Sequence, residues 1–526
     1  MSYCRRRLNE VVALQKDILN RIEADLGEFG NSPRRKYIQE FHDEFQTFEE
    51  VCEAGEIVDA AAEANLVWIG DYHALARSRT YAADLLRQIA ARKNSRIALG
   101  VEVVFAHQQK ILDRWMRGAI TDQEFLAQVR YFDEWGCDWP SYKILFDTAR
   151  ELDIPVYAID SHPRSDMRRI GSRDQGVARR IGCLMREDPS RTVVVVIGES
   201  HLASAHLPRR VRAVLGKTET PCHELLVLQN VDAVYWGLQH KGFEGIRSVR
   251  IQPGQYCVFN ATPMEKYESF RQYLLRCVDE DEGPSDWTRF VHTLIDVIFD
   301  FLEIDKQPDL MDYLPDVYSE ISAEHLPEFL VQQDIPAAQV KLALAAIQKQ
   351  GASYIPELNS MFIDEFRLDY TVEEAARFIH QLCRGELHPN STESASSDLF
   401  FLAIIEHAFG YFFSKLLDSS RDGIESLGAR VLQYIGYNEE LARTVNCLLD
   451  PGKRPSWQHF ERLKTAVEQN PSRSRMLQML AQVLGYALGR RLHKAYLESR
   501  ISRREIQALL APARPLECYV ELSALL

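Results

Sequence analysis

No Cys-x-x-Cys pair occurs in this sequence of 526 residues, although it holds ten cysteines. That absence removes the zinc-ribbon and thioredoxin-like classes of site, and irregularly spaced thiols in a long chain point to a reducing compartment. A basic excess is lacking as well: Lys and Arg number 62 against 76 Asp and Glu, a formal net charge of −14. Nucleic-acid binding normally rests on a cationic stripe that displaces counterions from phosphate, so this balance argues against it. No long apolar run is free of charge. The most apolar stretch, residues 399–417, contains Glu406, His407 and Lys415, which are costly at bilayer depth, so it reads as a buried core helix and no transmembrane segment is expected. The arginines at 5, 6 and 7 lead into no apolar segment, because Asn9, Glu10, Gln15, Lys16 and Asp17 interrupt it. Neither a secretory signal nor an exported lipoprotein leader is expected, and the expected location is the cytoplasm. No repeat of fixed period is evident.

What is present is an ordinary globular composition, 46% hydrophobic and 26% charged, in a chain long enough for about three domains at roughly 150 residues each. Residues 1–62 read as a charged helical segment, with Val11, Leu14, Ile18 and Ile22 at helical spacing. From Asn65 to about Asn260, short β-rich runs alternate with helical ones: 66–69, 96–103, 154–159, 192–197 and 224–228. Such alternation predicts an α/β fold, a mainly parallel sheet flanked by helices, over residues 63–262. The run Thr192 to Ile197 is apolar on both strand faces, as a central parallel strand should be. Beyond residue 263 the β signal fades, predicting a large all-α C-terminal region. Polar breaks at 279–285 and 386–397 divide it into a helical region, 263–390, and a C-terminal helical domain, 391–526. Capping boxes are expected at Thr371 to Glu374 and at Ser502 to Glu505.

The chemistry-bearing residues fall at the ends of the predicted strands. The first ends in Gly70, Asp71, Tyr72 and His73; the second in Gly100, Val101 and Glu102; the third in Asp160, Ser161 and His162; the fourth in Gly198, Glu199, Ser200 and His201. In an open parallel sheet, ligands bind beyond the carboxyl ends of the strands, so one convergent site is expected. His73, His201 and Glu102 would suit a divalent metal with a position left open for water or substrate. Asp71, Asp160 or Glu199 would orient the imidazoles. The bare Gly-x-x-His pattern is weak: a third copy, Gly237 to His240, follows no β-branched run, so placement carries the inference. Asp160 serves equally well as a helix cap. His162 reads as a loop residue and His107 as a solvated or packed helix residue. Arg168, Arg169, Arg173, Arg179 and Arg180 form a basic stretch suited to an anion or to a solvated helix face. Trp115, Trp135 and Trp139 would line a pocket or fill the core.

Trp68 to His73, Gly100 to Glu102 and Val196 to His201 together resemble the ChaN-like haem-binding uptake family of the Tiki/TraB superfamily. Cys137 to Tyr142 is similar to that family's aromatic-Pro segment, and Ser172 to Asp174 to its Arg-Asp motif. The resemblance spans roughly residues 60–230. It departs at Asp71, where the family commonly has glutamate, and at Ala74 to Ser78, where further histidines often follow. It implies a haem or metal-ion site at His73, Glu102 and His201, supported by Arg173 and Asp174. Tyr72 and Tyr142 stand in segments from which a haem tyrosine would come. The Tiki branch implies instead metal-dependent peptide cleavage with Glu102 as the catalytic carboxylate.

Three functions therefore stand side by side: a haem- or metal-binding protein with a helical interaction domain, a Tiki-like metal-dependent hydrolase, and a non-catalytic scaffold with a degenerate site. The expected ligand is haem, a divalent metal ion or a small anion. The C-terminal helices would supply a protein partner, and a haem shared across a homodimer would fit the resemblance. In the helical half, Glu406 and His407 read as a buried pair, and Gly485 and Gly489 as a close helix contact.

Overall fold

In the computed structural model, all residues are described except 1–2, 27–34, 93–95, 137, 162–169, 218, 219, 221, 280–285, 307–312, 320, 322, 386–395, 437, 451, 454, 470–474 and 526. The chain divides into two compact units. One comprises residues 22–238 and 246–281, the other 1–21, 239–245 and 282–526. These units cut across the boundaries read at 62, 262 and 390. The division falls inside the helix Arg5–Leu26. The helix Pro263–Asp279 joins the α/β unit, because Thr262 and Glu265 cap it and the Lys266 ammonium donates to the Asn230 carbonyl at 3.1 Å.

The α/β unit is built on an eight-stranded sheet. In chain order its strands are β1 (Glu50–Val51), β2 (Leu66–Asp71), β3 (Ile97–Phe105), β4 (Val156–Asp160), β5 (Thr192–Gly198), β6 (Glu224–Gln229), β7 (Ser248–Gln252) and β8 (Gln255–Val258). Their spatial order is β1-β7-β8-β6-β2-β5-β3-β4. From β8 to β4 all neighbours are parallel, while β7 and β1 add an antiparallel edge. Strands β2 to β6 match the β-rich runs; β1, β7 and β8, which extend the sheet beyond β6, were not expected.

Strand β5 shows why the sheet sits in the middle. Every residue of TVVVVIG is buried, and alternate side chains serve opposite faces. Val194 and Val196 join Val67, Ile69, Leu99 and Val101 in one core. Val193, Val195 and Ile197 join Leu66 and Trp68 in the other. The first core is closed by the helices Ala76–Arg92 and Trp139–Glu151, the second by Ile170–Glu187 and Leu207–Gly216. Each fully buried aliphatic side chain contributes on the order of 1.5–3 kcal/mol. From β2 the chain steps outward to β3 and β4, returns to β5, and then passes to β6 on the far side of β2. The strand order thus reverses around β2, and the crevice for a ligand opens at such a point.

The other unit is mainly helical, but not all-α. Strands β9 (Asp316–Tyr318), β10 (Ala352–Ile355) and β11 (Ser360–Ile363) form a small sheet in the order β10-β11-β9. With helices Leu326–Gln332 and Ala337–Gln350 it encloses a core of Leu326, Leu330, Ile347, Ile355 and Phe362. Strands of three and four residues are too short to show alternation in sequence. The apolar helix Ser396–Leu417 is a core element: Phe401, Ile404, Ile405, Phe409, Phe412 and Phe413 are all buried. Gly485 and Gly489 let the helix Arg475–Leu497 come against it; a Cβ at Gly485 would lie 2.4 Å from the His407 Cβ. The Ser502 capping box is present. The Thr371 box is not: its helix begins earlier, at Leu368, and the Glu374 carboxylate accepts instead from the Tyr354 amide at 2.7 Å.

Candidate functional site

The ends of β2, β3 and β5 bring the first set of side chains together. Asp71 closes β2, and His73 follows two residues later. Glu102 lies inside β3, not after it, where the pairing with β4 slips between Val101 and Phe105. Such an irregularity re-aims a side chain. The His73 Nδ1 lies 2.8 Å from Asp71 Oδ2, and its Nε2 2.9 Å from Glu102 Oε1. The Gly198 amide, at the end of β5, donates to the same Glu102 oxygen at 3.0 Å. A Cβ on Gly198 would come within 3.2 Å of His73 Nε2 and 3.3 Å of Glu102 Oε1, so glycine is what lets β5 close on this pair.

His73 is thus clamped between two carboxylates. Burial opposes its charge, but the carboxylates of Glu102 and Asp71 outweigh burial and raise its pKa above the usual range. Asp71 is held below its usual range although burial opposes ionisation, because the Arg79 guanidinium and His73 sit beside it. Arg79, 1% exposed, also donates to Ser141 Oγ at 2.6 Å and to the carbonyls of Tyr72 and His73. The Tyr142 hydroxyl donates to Asp71 Oδ2 at 2.7 Å. Tyr142 therefore stands at the site as a buttress of Asp71, and Trp135 borders His73 edge-on at 5.8 Å.

His201 belongs to a second set. Its Nδ1 lies 2.6 Å from Oδ1 of Asp174, a fully buried carboxylate on the helix Ile170–Glu187. A carboxylate only accepts, so Nδ1 carries a proton, and the tautomer this favours has its lone pair at Nε2. Nε2 has no hydrogen-bond partner among the described residues. On the same turn, Glu199 Oε2 and Ser200 Oγ are buried without partners. Tyr37, from the helix Arg35–Glu44, donates its hydroxyl to Asp174 Oδ2. Arg173 forks onto Asp160 at 3.2 and 2.6 Å. Burial opposes its charge, but Asp160, Glu102 and Asp174 together raise its pKa, so one cation serves both sets.

A third set surrounds Lys266, 2% exposed in its side chain, whose ammonium lies 3.1 Å from Glu199 and 3.6 Å from Asp232. Burial, with Asp232 and Asp71 adding repulsion, pushes the Glu199 carboxyl up despite Lys266. Tyr72 packs beneath this ammonium, 4.8 Å from its ring centroid.

The expected single metal shell is therefore not what the fold assembles. Among the described residues no three His, Cys, Asp or Glu side chains are grouped to hold a metal ion. His73 has both nitrogens on carboxylates, and His201 is oriented by a carboxylate of its own. His107 stacks on Phe105. Trp115 and Trp139 pack with Phe125 and Phe146 in the core. Arg180 reaches Gln109 at 3.4 Å. His162, Arg168, Arg169 and Cys137 lie outside the described residues. In the helical unit Glu406 pairs with Arg377 at 2.8 Å, and His407 lies 3.7 Å from Glu373. Sequence reasoning missed Tyr37, Arg79 and Lys266, none of which stands in a motif; Arg79, six residues beyond His73 on the following helix, carried the nearest signal.

Residues 57–176 match the family model described as haem-binding uptake, Tiki superfamily, ChaN. That stretch covers the first two of the strand-end motifs read as resembling this family; the match ends before His201. No curated protein matches the chain. Among solved structures it is similar to one described as "Cofacial heme binding to ChaN of Campylobacter jejuni", with 9% identity and a TM-score of 0.26 over 35% of this chain and 93% of that one.

Proposed function

We propose that the ChaN-like α/β unit binds haem, with His201 as the protein ligand to iron. The single observation that carries the choice of residue is the hydrogen bond from His201 Nδ1 to the buried Asp174 carboxylate. A metal-ligating histidine commonly donates its other ring N–H to a carboxylate, which fixes the tautomer and raises the basicity of the ligating nitrogen. His201 has this arrangement. His73, both of whose nitrogens face carboxylates, is unsuited to ligation, and the Tyr142 hydroxyl is committed to Asp71. The unpartnered Glu199 Oε2 and Ser200 Oγ beside His201 also fit a polar ligand group, since buried polar atoms are normally satisfied. The family likeness supplies the class of ligand, haem, whose iron would take a protein donor such as an imidazole nitrogen. His73, Glu102, Asp71 and Arg79 would then hold the strand ends in place, and Arg173 would offset the carboxylates between the two sets. A cytoplasmic location belongs to this reading, supported by the free cysteines at 4, 52, 183, 222, 257, 383, 447 and 518.

Titration of the purified chain with hemin tests the reading. A saturable Soret shift is expected in the parent protein, with at least tenfold weaker binding in His201→Ala and a smaller loss in His73→Ala. No Soret shift in the parent protein would end the haem reading; equal binding by His201→Ala would end the assignment of the ligand.

A further inference from the structure

Asp174 has no exposed surface, and its two oxygens are shared between two donors. Oδ1 accepts from His201 Nδ1 and Oδ2 from the Tyr37 hydroxyl. The Tyr37 ring is stacked on His206 with centroids 3.5 Å apart and planes 7° from parallel, and it stands edge-on to His201 at 5.8 Å. His206 is itself fixed on both sides, by the Ser200 carbonyl at 2.9 Å and by Glu40 at 2.7 Å. Glu44, on the same helix as Tyr37 and Glu40, accepts from the Ser204 amide and hydroxyl. Three side chains of one helix therefore grip the turn that carries His201, and Tyr37 is the one that reaches the ligand's own partner. Burial and the neighbouring Asp174 charge push the Tyr37 phenol well above its usual range, which keeps it a donor.

A carboxylate that accepts one strong hydrogen bond has less charge to offer a second. Resting on the assignment of His201 above, we propose that Tyr37 is a positioning residue for the iron ligand. By holding Oδ2 of Asp174, it orients His201, limits the strength of the Nδ1–H···Oδ1 bond, and so sets how strongly Nε2 donates to iron. A more basic axial ligand favours the ferric over the ferrous state, and hydrogen bonding behind the ligand is one of the levers a protein has on haem iron. Arg210, whose Nε lies 3.9 Å from Oδ2, is too far to replace the hydroxyl as a hydrogen-bond donor without moving.

Tyr37→Phe keeps the stacked ring and deletes only the donor. In the haem-free full-length protein, labelled with 15N at histidine, the His201 Nδ1 proton is expected to move downfield as its bond to Asp174 strengthens. An unmoved proton overturns the proposal, whether or not haem binds at His201. In the haem-loaded protein the same change is expected to favour ferric over ferrous haem roughly tenfold, a midpoint potential lower by ~59 mV for one electron. An unchanged potential alongside a shifted proton overturns the tuning. Fluorotyrosine at position 37, a stronger donor, is expected to move both readouts the opposite way, and keeps the test decisive if Tyr37→Phe folds poorly. Haem binding by His201→Ala is read separately: unaltered binding defeats the ligand assignment, while the Nδ1 shift in the haem-free protein still decides whether Tyr37 acts through Asp174.

Discussion

Replacing Glu102 by glutamine removes one charge and almost no volume, which makes it a sharp test of the clamp on His73. The glutamine oxygen still accepts from the Gly198 amide, as Glu102 does at 3.0 Å. That same oxygen faces His73 Nε2, as Glu102 Oε1 does at 2.9 Å, so the hydrogen-bond acceptor stays and only its charge is removed. Exposure of the His73 side chain is only 17%, so solvent screens the lost attraction incompletely. A hydrogen bond to a charged partner contributes roughly 1.5–3 kcal/mol and is about twice as strong as a neutral one, so about 1–2 kcal/mol is the expected loss for Glu102→Gln where His73 is charged. The sign of the pH dependence follows from the raised pKa of His73. A group raised in the folded state adds stability that is complete below its unfolded value, 6.5, and is lost as the pH rises through the folded value. Urea denaturation of the parent and variant at pH 6 and pH 9 should therefore show a large gap at the lower pH and a small one at the higher. A gap of the same size at both would refute the clamp, and so would a His73 imidazole whose 15N titration is not lowered by the substitution.

Other substitutions probe the remaining contacts. Gly198→Ala places a methyl group 3.2 Å from His73 Nε2 and 3.3 Å from Glu102 Oε1; overpacking of about 1–3 kcal/mol is expected in thermal denaturation, with the His73 titration lowered as the pair is pushed apart. Lys266→Met leaves the partly buried Glu199 and Asp232 without their cation, a change expected to cost about 3 kcal/mol, with part of it restored when Glu199→Gln is added. If the double variant is no more stable than the single one, the ammonium is not what neutralises Glu199. In the helical unit, Gly485→Ala sets a methyl group 2.4 Å from the His407 Cβ and 2.6 Å from the Ile404 carbonyl oxygen. Hydrogen exchange should accelerate in the helices Ser396–Leu417 and Arg475–Leu497, with strand β5 unchanged.

How much of this was legible in the sequence depends on the range of the contacts concerned. The central strands were readable because burial on both faces writes itself locally: β5 is Thr192 followed by four valines, Ile197 and Gly198, and each side chain has an apolar core to enter. The edge strand β1, two residues long, and the three short strands of the helical unit leave no such trace, since their pairing partners and not their own pattern make them strands. The site followed the same rule. Glycine and histidine at the strand ends were visible, and they marked where ionisable groups gather. Which imidazole keeps a free nitrogen was not visible, because that is settled by partners far along the chain: Glu102 and Tyr142 act on the Asp71–His73 pair, and Asp174 and Tyr37 on His201. The two Gly-x-x-His copies therefore have unlike chemistry despite like spelling. A carboxylate on each nitrogen favours the charged form of His73, whereas a carboxylate on Nδ1 alone makes His201 a directed donor. The contrast predicts that removing the second carboxylate changes the role: Glu102→Ala should leave His73 with a carboxylate on Nδ1 and no side-chain acceptor from position 102 at Nε2, which is the arrangement His201 has. If haem affinity is governed by that arrangement, the double variant Glu102→Ala with His201→Ala should bind hemin more tightly than His201→Ala alone; equal or weaker binding would show that the wider surroundings of Nε2, and not the carboxylate pattern on the ring, select the ligand.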